Sequence, residues 1–152
     1  MRSSRYGLSL LLTLSVANLG CPAFAQSSSE WTLSYSDSEG LHKLIYGPPD
    51  ATGDVYMRCF PDDDFIIILY SVSGRRKSEI LSSGGAVVAP PFRVDYSEGS
   101  GFVVQLSLPA DHDLFRNMAN GAALRIVDQV FPVRSAQEQR SIKNFISACN
   151  SD

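Results

Sequence analysis

From Trp31 onward the chain sets apolar against polar positions in short runs, each broken by turn residues. Trp31, Leu33 and Tyr35 alternate with Thr32, Ser34 and Ser36, the period of a strand buried on one face. Further strands are predicted over 41–46, 55–60, 65–70, 78–81, 86–89, 92–96 and 102–108. Between them stand Ser38-Glu39-Gly40, Gly47-Pro48-Pro49-Asp50, Pro61-Asp62-Asp63-Asp64, Ser73-Gly74, Ser82-Ser83-Gly84-Gly85, Pro90-Pro91 and Glu98-Gly99-Ser100-Gly101. Proline has no N–H to give a ladder, and clustered Gly, Ser and Asp favour turns, so these segments end strands. The run 65–70 is apolar at every position, which predicts a central strand covered on both faces.

After Pro109 the period lengthens. Asp111 is placed to accept from the free N–H groups of a helix start, and Leu114, Phe115, Met118 and Ala119 then recur at helical spacing up to Gly121. Strands return over 124–127 and 130–133, joined as a hairpin through Asp128-Gln129. Ser135-Ala136-Gln137-Glu138 has the form of a capping box. Ile142, Phe145, Ile146 and Cys149 follow as one apolar stripe, so Cys149 is expected on the buried face of a terminal helix. Cys59 shares a strand face with Met57 and Val55. A Cys59–Cys149 bridge would pin that helix on the sheet. A loop of this size is worth about 4–5 kcal/mol in the chain-entropy model. The expected fold is mainly β (α+β). It is an antiparallel sandwich or barrel of about eight to ten short strands, with one short helix and a C-terminal helix docked by a disulfide.

The N-terminus changes the compartment. Arg2 and Arg5 precede a leucine-rich apolar run over 7–19, and Ala23-Phe24-Ala25 supplies small side chains before Gln26. Residues 1–25 therefore read as a signal peptide cleaved after Ala25, since a spanning helix needs about 20 apolar residues. Lipid attachment at Cys21 is disfavoured, because Asn18 stands where a large aliphatic residue is required. Residues 26–30 form a polar leader expected to be flexible, and 31–152 one β-rich domain with no further membrane-spanning segment. The leader carries two of the cations, so the rest has 11 basic against 16 acidic residues, a formal charge of −5. That balance argues against nucleic acid, whose phosphates call for clustered Lys and Arg. The one basic cluster, Arg75-Arg76-Lys77, reads as a solvated turn. An even pair of cysteines outside the leader suits an oxidising compartment, so the protein is expected in the periplasm or secreted.

Catalytic arrangements are sparse. Outside the leader there are two histidines, His42 and His112, neither near a nucleophile motif, and Ser100 lacks the strand-to-helix elbow of hydrolases. Asp62, Asp63 and Asp64 do not alternate as calcium loops do, and Asp111 and Asp113 beside His112 read as a helix start. No cofactor, metal or catalytic residue is assigned. The aromatic residues Trp31, Tyr35 and Tyr96 are expected in the core.

The last third resembles small periplasmic proteins of Proteobacteria. Leu108-Pro109-Ala110-Asp111-His112, the segment from Leu114 to Gly121, Leu124-Arg125-Ile126-Val127 and Phe145-Ile146-Ser147-Ala148-Cys149 follow an order similar to that of the invasion-associated locus B family. An accessory family of type VI secretion also ends in an Ala-Cys helix. The paired cysteines that the locus B proteins carry earlier are missing. The resemblance implies a periplasmic β-rich fold and carries over no functional residue. The functional expectation is a binding or inhibitory module without catalysis, acting on an envelope protein such as a wall-lytic enzyme or protease. The alternatives are an assembly factor of the envelope or a secretion system, and a small hydrolase. Candidate binding loops are those holding Pro48, Pro49 and Asp50, and Pro90 and Pro91, since rigid scaffolds present function on loops.

Overall fold

The computed structural model describes residues 28–48, 53–61, 63–72, 81–88, 93–97, 101–126 and 128–150. The leader 1–25 and the Arg75-Arg76-Lys77 turn lie outside them. In chain order the elements are β1 (Glu30–Ser36), β2 (Leu41–Gly47), β3 (Val55–Cys59), β4 (Phe65–Val72), β5 (Leu81–Ser83), β6 (Ala86–Val88), β7 (Arg93–Ser97) and β8 (Gly101–Pro109). Then follow α1 (Asp113–Ala119), β9 (Leu124–Ile126), β10 (Gln129–Phe131) and α2 (Ala136–Cys149). Six strands form an antiparallel sheet in the order β1-β2-β3-β4-β8-β7, and four form a second in the order β10-β9-β5-β6. The fold is mainly antiparallel β with two helices, as the alternation predicts.

The two sheets share one core. Register places Leu44 opposite Met57, Met57 opposite Ile68, and Ile68 opposite Leu106, so one face of the large sheet carries continuous apolar rows. Leu81, Leu124, Ile126 and Phe131 of the small sheet join the same cluster, and the Phe131 ring stands edge-on to Tyr46 at 5.3 Å. Helix α2 lies against β1 and β2, and α1 packs between α2 and the β5–β6 hairpin. Burying side chains of this size stabilises by about 1.5–3 kcal/mol each.

Helix α2 is fixed at both ends. At its N-terminus the capping box forms: Ser135 Oγ accepts from the Glu138 N–H, and the Glu138 carboxylate accepts from the Ser135 N–H. The same carboxylate, 3% exposed, also accepts from Arg134 N at 2.6 Å and from Trp31 N, 107 residues away, at 3.2 Å. Arg134 donates in turn to Ser29 O. One carboxylate thereby ties the helix start to the first strand, and the end of the polar leader is held, with β1 already begun at Glu30. At the C-terminus Cys149 is bonded to Cys59 with Cα atoms 5.7 Å apart, within the usual disulfide range.

Several boundaries move. Ser82 and Ser83 belong to β5, and the turn is Gly84-Gly85 alone, with φ of 55° and 95°. Two successive positive φ angles are what a two-residue hairpin needs, and glycine takes them without penalty. The N-cap of α1 is His112, whose Nδ1 accepts from Leu114 N at 3.1 Å, rather than Asp111. The last hairpin pairs Ile126 with Gln129, one residue earlier than expected. Tyr35, expected in the core, is 52% exposed at the end of an edge strand, against the His42 ring. Trp31 is buried as expected, and the side chain of Tyr96 lies outside the description. Strand β4 is interior to its sheet, but it is fully buried on one face only. Ile66 and Ile68 are inaccessible, while Ile67 and Leu69 are half-buried and Phe65 is 50% exposed.

Candidate functional site

The candidate loops of the sequence fall mostly outside the description. Pro49, Asp50, Pro90 and Pro91 cannot be placed, and Pro48 is half-buried at the end of β2. The neck of the first loop is tight. A Cβ on Gly47 would stand 2.6 Å from Gly53 Cα, and one on Gly53 would stand 2.5 Å from Tyr46 O. Asp54 N closes the neck by donating to Tyr46 O at 2.8 Å.

The most prominent described surface is instead the tip of the β3–β4 hairpin, read from the sequence only as a turn. Alternation explains it. Cys59 and Ile66 point into the core, so Phe60 and Phe65, one residue outward on each strand, face away from it. They are 40% and 50% exposed. Between them lie Pro61, Asp62, Asp63 and Asp64, of which Pro61, Asp63 and Asp64 are exposed and Asp62 is not described.

Four constraints hold this tip. The Cys59–Cys149 bridge anchors the residue before Phe60. Asp63 N donates to Phe60 O at 3.3 Å. Ala110 N donates to Asp64 O at 2.9 Å, and Phe65 pairs with Pro109, so the tip is seated against the end of β8. Asp64 has φ 52°, a left-handed conformation that Asp tolerates better than most residues. The described residues of this turn thus present two partly exposed aromatic rings beside the exposed Asp63 and Asp64. On the same face of the sheet, one register step inward, lie Arg58 and the Lys43–Glu39 ion pair. The Lys43 ammonium holds the Glu39 carboxyl below its ordinary value and is itself held above its own.

A second feature is a cleft of about 290 Å³ between α1 and α2, lined by Arg116, Ala119, Lys143, Ile146, Ser147 and Asn150. It is at the lower limit for a small-molecule site. Arg116 is engaged with the Asp113 carboxylate and with Asp111 O. It also sits in the last turn of α1, where a cation offsets the partial negative charge of the helix end. A third feature is the solvent row Val87, Ser82, Arg125 and Val130 across the small sheet, with Val87 64% exposed.

The histidines have structural neighbours. His112 caps α1, and His42 pairs in register with Cys59. Among the described residues no three His, Cys, Asp or Glu side chains are grouped to hold a metal ion, and no helix is long and apolar enough to cross a membrane. No protein-family model matches the chain, and neither a curated protein nor a solved structure is similar to it.

Proposed function

We propose that this chain is a binding module of the bacterial envelope, exported through its leader, which works by occupying the surface of another protein and turns over no substrate itself. The observation that supports this reading is the β3–β4 tip: two exposed aromatic rings on a hairpin whose base is a disulfide. Ordering a flexible loop on binding costs about 0.5–1.5 kcal/mol per immobilised side chain, and a tip already held avoids most of that cost. Aromatic side chains centred in an interface commonly supply its largest single contributions. An inhibitor of a wall-lytic enzyme or protease fits this construction, as the disulfide-tied scaffold needs no catalytic group.

The test is affinity capture from a periplasmic extract of the producing cell, with the mature chain as bait. One stoichiometric enzyme whose activity falls on complex formation supports the inhibitory reading. A multiprotein envelope complex without loss of any lytic activity favours the assembly role. Turnover by the purified chain of peptidoglycan, ester, peptide or phosphoester, abolished in His42→Ala or His112→Ala while the fold survives, overturns the binding reading.

A further inference from the structure

We infer that a protein partner docks on the outer face of the six-stranded sheet by bringing one Asp or Glu carboxylate to the Arg58 guanidinium. Apolar side chains beside that acid meet Ile45, Tyr56, Ile67 and Leu69. The inference rests on the binding reading above: it extends the site inward from the tip and names the chemistry of the partner.

Register builds this face. Val55, Met57 and Cys59 point into the core, so Tyr56 and Arg58 point the other way. The same parity on β2 and β4 sends Lys43, Ile45, Ile67 and Leu69 to that side. Pairing sets them in two rows: Ile45, Tyr56 and Leu69 in one, Lys43, Arg58 and Ile67 in the next. Phe65 lies two residues before Ile67 on the same side, so the face runs on into the tip. Among the described residues, both helices and the small sheet pack on the opposite face. The four apolar side chains are half-buried. They cross three strands, a field about 10 Å wide at a strand spacing of about 4.8 Å. A flat field of this kind suits a protein surface, whereas small-molecule sites are concave.

Charge then selects the partner. Ile67 faces Arg58 from β4, and from β2 the residue opposite is Lys43, a like charge. Like charges directly opposite destabilise a sheet, so the fold itself gives no reason for a cation at position 58. Lys43 is bonded to Glu39 and lies 5.8 Å from the centre of the Tyr56 ring. Glu39 feels the Arg58 charge but is committed to Lys43. Among the described residues Arg58 makes no hydrogen bond or ion pair, and its Nε is buried without an acceptor. A guanidinium partly withdrawn from water and left unpaired carries a cost that a carboxylate removes. The planar fork of Arg holds a carboxylate through two parallel bonds. One unpaired cation among apolar side chains is too little charge for a phosphate polymer, which calls for clustered Lys and Arg. Arg and Tyr at the centre of an interface commonly supply much of its binding energy.

The experiment pans a displayed library of random twelve-residue peptides on the full secreted chain with its disulfide formed. Enriched binders should hold an Asp or Glu with an aromatic or leucine residue within two positions. Replacing that acid by its amide should weaken binding about 30-fold, the size of a hot-spot loss. Arg58→Met should weaken the acid peptides by a similar factor. On that variant the acid and amide peptides should differ by no more than about threefold, because the contact they report is gone. Arg58→Met keeps an apolar stem and removes a buried donor that has no acceptor, so its urea midpoint should not fall. The amide peptides test the same contact on the unaltered chain. No enrichment, or binders whose acid can be replaced by its amide without loss, overturns the inference. Acid peptides that hold as tightly to Arg58→Met overturn it too, but leave the binding reading standing, since the chain then binds elsewhere.

Discussion

Glu138 should be the most costly polar residue in the domain to remove. Its carboxylate accepts from three backbone N–H groups, those of Trp31, Arg134 and Ser135, in a position that is 3% exposed. In Glu138→Ala the Trp31 N–H is left in a buried site with no partner, which costs about 1–3 kcal/mol. The Arg134 and Ser135 donors are only part-buried, so water reaches them and the loss there is that of a helix cap, about 1 kcal/mol. Together the change should destabilise by about 3 kcal/mol. Glu138→Gln has one carbonyl oxygen in place of two. It can keep the pair of bonds at the helix start only by turning its amide towards the Trp31 N–H, so about half the loss is expected. Urea unfolding should show a lower midpoint at unchanged slope, the mark of altered stability rather than altered compactness. Amide exchange should show Trp31 losing protection together with the first turn of α2. A loss below about 1 kcal/mol in Glu138→Ala, with Trp31 still protected, would refute the reasoning, because the carboxylate would not then be what joins β1 to α2.

Other perturbations reach separate parts of the fold. Cys149→Ser should cost about 3–5 kcal/mol, because the bridge closes a separation of 90 residues, and amide exchange should show the last turn of α2 opening first. Gly84→Ala should destabilise by about 1–3 kcal/mol in thermal unfolding, since φ is 55° and the added Cβ would stand 2.8 Å from Asn117 Cβ. Asn117→Ala should cost about 1 kcal/mol by the same measurement, as its Nδ2 donates to Ser83 O and joins α1 to the β5–β6 hairpin. Lys43→Met should return the Glu39 carboxyl towards its ordinary value in a titration followed by NMR. Because that carboxyl is held low in the folded chain, the pair's contribution is present above the ordinary carboxylate value and fades as pH falls through the depressed one.

The parts legible in the sequence are those set by local pattern. Strict alternation located β1 and β7, and the Ser135 and Glu138 spacing located the start of α2 to the residue. The apolar stripe on α2, set against alternation in β3, points Cys149 at Cys59, and the two are bonded. What failed depended on neighbours in space. Tyr35 alternates with Trp31 and Leu33, yet it stands near the far end of β1, 52% exposed and against the His42 ring rather than in the core. The run 65–70 has the composition of a strand buried on both faces, and periodicity does not say whether the second face meets another layer. The third bond of Glu138 spans 107 residues and leaves no local signal. Phe60 and Phe65 were visible as aromatics flanking an acidic turn, but only the buried positions of Cys59 and Ile66 show that both rings face outward.

The central claim, that the chain acts by binding through this tip, is tested most directly by site-specific photo-cross-linking in the producing cell. A photoreactive phenylalanine analogue is placed at position 60 or 65, and at Val87 on the small sheet as a control. The account predicts one dominant cross-linked protein from positions 60 and 65 and not from 87, which, once purified, binds the chain one to one. Equal cross-linking from all three positions, or none from the two at the tip, would contradict it.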